Sequence, residues 1–124
     1  MLGIEGLRLS AEKAQVPVIV ADLEERVVKI LGVDLVWCCE VVEHVNNVEN
    51  IIDTISVGKI LAMTHATPKQ SGYHHVNCQP AEYWITRLSK KGMIYQEELT
   101  KHAKSLCPSS GNHFGWHGLI FVRS

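Results

Sequence analysis

The sequence predicts a single domain of the α/β class, in which short strands alternate with helices. Five apolar runs have the length and composition of strands: Val18–Ala21, Leu35–Cys39, Ile60–Thr64, Met93–Glu97 and Leu119–Val122. The apolar residues between Val48 and Ile55 recur instead at helical spacing. This alternation predicts helices packed on a sheet, with the last two strands as antiparallel neighbours. A chain of 124 residues is long enough for one domain with one core.

Two short strands and two helices are expected in the N-terminal part of the chain. Residues 1–6 are predicted to end a strand and turn, and Ser10 to cap a helix over residues 11–15. Asp22 follows the next strand, where it is expected to cap a helix over residues 23–31 or to contact a ligand. The two roles of Asp22 are compatible, so both stay open.

Asparagine, proline and long polar stretches mark the connections of the C-terminal part. Asn46 or Asn47 is expected to cap the helix that follows the central strand, and Pro80 to begin another helix. Residues 65–79 form the longest predicted loop, and residues 107–118 are also predicted to be irregular. Since loops at strand ends often carry function, the histidines of the longer loop are candidate site residues.

The central stretch, Asp34–Val45, changes its period in the middle. Leu35–Cys39 is predicted to be a strand buried on both faces. Glu40, Glu43 and His44 follow at i, i+3 and i+4, so a helical turn would place them on one face. The three side chains either converge on a ligand at the carboxyl end of the strand or form a solvated helix start.

This stretch, Asp-Leu-Val-Trp-Cys-Cys-Glu-Val-Val-Glu-His-Val, resembles the fourth-strand motif of class I S-adenosylmethionine-dependent methyltransferases. The resemblance extends from about Leu2 to the last strand. It implies a Rossmann-like sheet, S-adenosylmethionine as cofactor, and transfer of a methyl group to an acceptor that the sequence does not identify. A hydroxyl group is one candidate acceptor.

The resemblance also implies which residues bind the cofactor. Glu5 stands where the family keeps an acidic residue that accepts hydrogen bonds from the ribose hydroxyls. Asp22 and Leu23 stand where a polar and an apolar residue hold the adenine. Glu40 is expected to face the same cleft. On local sequence alone, Glu5 would be an ordinary turn carboxylate.

Some relatives that share Glu-x-x-Glu-His hold a divalent ion with these residues and a later histidine. The resemblance therefore implies a site for Mg²⁺, Mn²⁺ or Zn²⁺ with these ligands: Glu40, Glu43, His44 and His75, or His74 in place of His75. The alternative is that His74 and His75 are exposed, or line the substrate pocket with Asn77 without a metal. The candidate catalytic residues are His44, His74, His75 and Asn77.

A glycine-rich turn, which follows the first strand in the family, has no counterpart in this sequence. Residues 1–124 are therefore expected to form a single partial methyltransferase domain whose sheet lacks its first strand, the one between the second and the fourth. Such a chain is either most of a methyltransferase or a non-catalytic truncated paralogue or partner subunit.

Composition excludes several classes of partner. A formal net charge of −1 gives no indication of nucleic-acid binding. No apolar run approaches the roughly 20 residues that cross a bilayer, so no membrane partner is expected. The four cysteines, Cys38, Cys39, Cys78 and Cys107, have no paired spacing, which favours a reducing, cytoplasmic location.

Overall fold

A computed structural model describes residues 1–124 and confirms the α/β fold. The strands are β1 (Gly3–Glu5), β2 (Val18–Val20), β3 (Leu35–Cys38), β4 (Ile60–Thr64), β5 (Met93–Tyr95) and β6 (Gly118–Arg123). The helices are α1 (Arg8–Glu12), α2 (Val48–Ile55), α3 (Ala81–Ser89), α4 (Glu97–Ser105) and α5 (His113–His117). Each of the five predicted strands is present.

Four strands form the main sheet, in the order β3-β4-β6-β5. β3 and β4 are parallel, with Leu35 opposite Ile60. β6 is antiparallel to both β4 and β5, which confirms the predicted pairing of the last two strands. The carboxyl ends of β3 and β4 therefore lie at one edge of the sheet, together with the start of β6.

β1 and β2 form a separate parallel pair. β1 pairs only with β2 and β3 only with β4, so each has one edge without a strand partner. These open edges agree with the gap expected between the second and fourth strands of the methyltransferase sheet, and the missing strand stays a prediction. The loops that follow β2 and β3 meet, since the Glu24 carboxylate accepts hydrogen bonds from the backbone of Asn46 and Asn47 at 2.6 and 2.9 Å.

The main core lies between the sheet and the helices α2 and α3. Its fully buried side chains include Ile51, Ile52, Leu61, Met63, Trp84, Leu88, Met93 and Phe121. Asn47 caps α2 as expected, because its side chain accepts a hydrogen bond from Asn50. A smaller cluster of Ala62, Phe114 and Ile120 lies on the other face of the sheet.

The prediction that β3 is buried on both faces is wrong. Val36 and Cys38 point into the main core, whereas Leu35 and Trp37 point to the other face and are 55% and 60% exposed. The physical reason is that β3 is an edge strand, and the stacking of Phe114 on Trp37 leaves that ring largely exposed on this face.

Two helix predictions are also corrected, and two further helices were not predicted. Residues 23–31 form a single turn and then an extended segment, in which Val28 donates its backbone N–H to Thr54 of α2. α1 begins at Arg8 rather than after Ser10, because Glu5 accepts the backbone N–H of Leu7 and closes the preceding turn. α4 begins at Glu97, the last residue of a predicted strand, and α5 lies in a stretch predicted to be irregular.

No helix of this chain combines the length and the apolar character needed to cross a membrane. All four cysteines are free thiols, as their spacing predicted.

Candidate functional site

The turn after β3 and the long loop after β4 form one unit at the carboxyl edge of the sheet. Val42–His44 is a 3-10 turn, and the backbone N–H groups of Val76 and Asn77 both donate to the carbonyl of Glu43, at 2.9 and 3.0 Å. The Asn77 side chain also donates to the carbonyl of Val42. These bonds hold the loop over the turn.

Three potential ligand side chains converge between the turn and the loop. One ligand atom each of Glu43, His44 and His75 lies within 4.8 Å of the other two. Glu43 is fully buried, and neither of its carboxylate oxygens has a hydrogen-bond partner. The Nδ1 atom of His75 is buried without a partner as well. His44 donates through Nδ1 to the carbonyl of His74 at 3.0 Å, which leaves its Nε2 available.

The electrostatics of this cluster are dominated by the burial of Glu43. Burial is the largest influence and raises the pKa of the Glu43 carboxyl, while its own backbone N–H lowers it; the charge of Glu40 adds to the rise, and His44 and His75 oppose it. A buried carboxylate that accepts no hydrogen bond is unfavourable, since native structures satisfy nearly all such groups. A divalent cation would satisfy the orphaned oxygens, and two imidazoles complete a common ligand set.

Glu40, the fourth predicted metal ligand, lies outside this cluster. Its backbone is left-handed, with φ of 56°, so the chain does not continue as one helical turn from Glu40 to Glu43. The Glu40 carboxylate is instead engaged by two residues: Thr64 donates to Oε2 at 2.8 Å, and His113 lies 2.8 Å from Oε1. The expectation that Glu40, Glu43 and His44 share one face is therefore wrong.

His74 and Asn77 take different positions from His44 and His75. The ring of His74 is exposed and stands edge-on to Tyr73, so only its backbone carbonyl reaches the cluster. Asn77 is buried, and its side chain bonds to Val42 and Gln79. Asn77 thus fixes the loop and does not line an open pocket.

The acidic residues predicted for the cofactor lie at strand ends. Glu5 ends β1, and one of its oxygens accepts the Leu7 N–H at 3.0 Å. Asp22 follows β2, and one of its oxygens accepts the Glu24 N–H at 2.9 Å. Each carboxylate keeps a second oxygen without a hydrogen bond. Leu23 is partly buried against the main core.

An open groove of about 310 Å³ lies on the face of the sheet opposite the main core. Its lining residues are Trp37, Cys39, Cys107, Gly111, Asn112, His113 and Phe114. The rings of Trp37 and Phe114 are stacked, with centroids 5.4 Å apart and an interplanar angle of 25°. The groove adjoins the Glu40–His113 pair.

Sequence reasoning did not single out Thr64, His113 or the neighbouring His117. His113 opens α5, which lies in the stretch predicted to be irregular. One local signal was present: Asn112 caps this helix by accepting the N–H of Gly115 at 2.9 Å. His65 and His117 lie nearby, with ring centroids 5.8 Å apart, and burial is the main cause that lowers the pKa of each.

No protein-family model and no curated protein matches this sequence. Among solved structures, magnesium protoporphyrin IX methyltransferase (ChlM) from Synechocystis PCC 6803 with bound SAM is similar, with a TM-score of 0.56 and 18% identity; the match covers 99% of this chain and 59% of that one. A second structure of that enzyme, with bound SAH, gives a TM-score of 0.53 and 16% identity over 94% of this chain and 57% of the enzyme.

Two other solved proteins share the fold. The pyocyanin biosynthetic protein PhzM has a TM-score of 0.50 and 10% identity, and the match covers all (100%) of this chain and 42% of PhzM. A pericyclic reaction enzyme has a TM-score of 0.59 and 6% identity, with 100% of this chain and 36% of that enzyme covered. The chain thus has the Rossmann-like α/β fold found in S-adenosylmethionine-dependent methyltransferases, and it spans 36% to 59% of the length of these proteins.

Proposed function

We propose that this chain belongs to an S-adenosylmethionine-dependent methyltransferase whose acceptor is a hydroxyl group. The observation that carries the proposal is the likeness, over 99% of the chain, to a methyltransferase with bound SAM. Acidic residues at the carboxyl ends of β1, β2 and β3 support it, because open α/β sheets bind their ligands at that edge.

Glu5 and Asp22 would hold the ribose and the adenine of the cofactor. Each presents a carboxylate oxygen that no residue of the chain engages, and a carboxylate accepts hydrogen bonds from hydroxyl and amino groups. Leu23 would pack on the adenine ring. When bound, S-adenosylmethionine supplies a methyl group on a sulfonium centre. The contribution of the chain is to orient that group toward the acceptor.

Calorimetry with S-adenosylmethionine tests this cofactor site. Because the sequence has no glycine-rich turn, the 124-residue chain is expected to bind more weakly than micromolar. Glu5→Ala should weaken binding by about tenfold or more, since it removes a charged acceptor. Glu12→Ala, on the exposed side of α1, is the matched control. Micromolar or tighter binding that Glu5→Ala leaves unchanged would place the cofactor elsewhere.

Glu43, His44 and His75 would hold a divalent cation beside the acceptor. The fit rests on the two orphaned carboxylate oxygens of Glu43 and on the two imidazoles that face them. Of the three expected ions, this donor set favours Zn²⁺, because imidazole suits zinc better than magnesium. A divalent cation lowers the pKa of a coordinated hydroxyl, which is why a hydroxyl acceptor is proposed.

Titration with Zn²⁺, Mn²⁺ and Mg²⁺ in separate calorimetric experiments tests the metal site. The wild-type chain should bind Zn²⁺ most tightly, and Glu43→Gln and His75→Asn should each weaken it by at least about tenfold. His74→Asn is the matched control: its ring is outside the cluster, and asparagine tolerates the left-handed backbone at this position, where φ is 53°. Equal Zn²⁺ affinity in wild type and His75→Asn would exclude the site.

The alternative function is that of a non-catalytic paralogue or partner subunit. The open edges of β1 and β3 would suit a partner subunit, because an unpaired strand edge can pair with a strand of another chain. The coding sequence upstream of Met1 separates the two. An in-frame strand and glycine-rich turn would support the methyltransferase, and stop codons or unrelated sequence would support the alternative.

A further inference from the structure

The helices α4 and α5, on the face of the sheet opposite the main core, bring a lysine close to two histidines. We propose that Lys104 and His117, with His65 beside them, bind an oxyanion, which is a phosphate or a carboxylate group of a ligand. None of these three residues belongs to the proposed cofactor site or metal site. The inference therefore goes beyond the proposed methyl transfer and does not depend on it.

Lys104 differs from the other lysines of this chain in its surroundings. Its side chain is partly buried, whereas every other lysine is exposed. Lys59, Lys91 and Lys101 each form an ion pair with a carboxylate, and Lys104 forms none. The Lys104 ammonium donates only to the backbone carbonyl of Trp116, at 3.5 Å. Because burial without a counter-ion disfavours the charged form, the pKa of Lys104 is lowered.

His117 and His65 stand next to this ammonium. The carbonyl that Lys104 contacts belongs to the peptide group that joins Trp116 to His117. The rings of His65 and His117 are close to each other, with centroids 5.8 Å apart. Burial is the main cause that lowers the pKa of both imidazoles, and the charge of Lys104 lowers both further. The three groups thus oppose one another's positive charge.

The other groups around this cluster do not supply a counter-ion. Glu40 is the carboxylate that acts on His117, whose pKa it raises, but both of its oxygens are already engaged by Thr64 and His113. His113, at the start of α5, lowers the pKa of His117. Cys107, just after α4, is a free thiol. The cluster therefore lacks a partner of negative charge.

An oxyanion would supply that partner. Its oxygens accept hydrogen bonds from the Lys104 ammonium and from a protonated His117, and such charge-assisted bonds are about twice as strong as neutral ones. His65 is held in place because its Nδ1 donates to the carbonyl of Gln79 at 3.0 Å. A bound anion stabilises the protonated form of His117, so it raises the pKa of that imidazole and binds more tightly as the pH falls.

Proton NMR of the imidazole rings across a pH series tests this inference. The chain, without metal or cofactor, is titrated in sodium sulfate, sodium acetate or sodium chloride at one ionic strength. Sulfate stands in for a phosphate group because it stays fully ionised throughout, and acetate stands in for a carboxylate. In sulfate or acetate, the pKa of His117 should lie about 0.5 to 1 pH unit above its value in chloride. This shift corresponds to about threefold to tenfold tighter binding of the anion to the protonated ring.

Lys104→Met should abolish the shift, because it removes the ammonium and keeps an unbranched side chain. Lys101→Met, at an exposed position on the same helix, is the matched control and should leave the shift unchanged. The exposed His102 of α4 is the internal reference, and its resonance should titrate alike in the three salts.

Three results would overturn the inference: a His117 that titrates alike in all three salts, a His102 that shifts as much as His117, or a full shift in Lys104→Met. The wild-type titration decides by itself if the variant does not fold. A shift in sulfate alone assigns a phosphate group to the ligand, a shift in acetate alone assigns a carboxylate, and a shift in both shows a site for either. Since no cofactor or metal is added, failure here leaves the proposed methyl transfer in place.

Discussion

Gly72 controls the position of His75 without contributing a ligand. A Cβ atom built at Gly72 would overlap the His75 imidazole, so only glycine leaves room for the ring in its present place. Gly72→Ala should therefore push His75 out of the cluster and weaken Zn²⁺ binding by about 10-fold to 100-fold, the usual cost of disturbing a residue that supports a metal ligand.

Calorimetric titration of Gly72→Ala with Zn²⁺ measures the change in affinity, and a thermal unfolding curve of the same variant measures its stability. Gly6→Ala is the control, because its added methyl would meet only the Ala21 carbonyl at an ordinary 3.9 Å. If Gly72→Ala binds Zn²⁺ as tightly as wild type, His75 is not a ligand. If it unfolds at a much lower temperature, the glycine supports the fold of the loop rather than the site.

The segment after β2 is attached to α2 through polar groups. Glu24 accepts three hydrogen bonds, from the backbone N–H groups of Asn46 and Asn47 and from the Asn46 side chain. Asn50 donates to the carbonyls of Leu23 and Glu24. These bonds link the β1–β2 pair to the main core, in place of the helix that the apolar spacing of residues 23–31 predicts.

Glu24→Ala should destabilise the fold by about 1 to 2 kcal/mol, since three bonds to a charged acceptor are lost and the site is only partly buried. The backbone N–H of Asn46 is the largest cause that lowers the pKa of Glu24. Because the pKa of Glu24 is lower in the folded state than its ordinary value of 4.5, the carboxylate stabilises the fold fully above about pH 4.5. This stabilisation is lost as the pH falls through the pKa of the folded state.

Urea unfolding as a function of pH checks this expectation. The difference between wild type and Glu24→Ala should be largest at neutral pH and shrink as the solution is acidified below about pH 4.5. Glu25→Ala, at the exposed neighbouring position, should match wild type throughout. If the difference in unfolding free energy between wild type and Glu24→Ala does not change with pH, the variant is destabilised by lost packing and not by the lost charge.

The chain divides into two unequal parts. The four-stranded sheet has a core that buries Trp84, Phe121 and the apolar face of α2. The β1–β2 pair has two strands of three residues each, and two-stranded sheets are marginally stable in water. We expect the backbone amides of β1 and β2 to exchange with solvent through local opening, at a lower free energy than those of β4 and β6.

Native-state hydrogen exchange, followed by NMR as a function of urea, measures this difference. Amides of β4 and β6 should exchange only through global unfolding. Amides of Gly3–Glu5 and Val18–Val20 should exchange through local opening, at a lower free energy. Glu24→Ala should widen the difference. Equal protection in both sheets would contradict the division and would show that the loops at Glu24 join them into one cooperative unit.

Sequence alone determined most of the elements of this protein. The period of the apolar residues predicted strands β2, β3, β4, β5 and β6 and the helix α2, because that signal is local and depends only on which face is buried. Charge pairing that stabilises α4, such as Glu97 with Lys101, was a weaker signal, and this helix was not predicted. The resemblance to methyltransferases likewise predicted the fold that the solved structures show.

Tertiary structure alone decided which side chains meet. Their helical spacing predicted that Glu40, Glu43 and His44 lie on one face. In the structure the backbone of Glu40 is left-handed, and its carboxylate contacts Thr64 and His113 instead. His113 reaches the Glu40 carboxylate because α5 packs on the face of the sheet that carries Trp37, where Phe114 stacks on the Trp37 ring. Such contacts depend on one backbone angle and on the packing of distant segments, and residue periodicity carries information about neither.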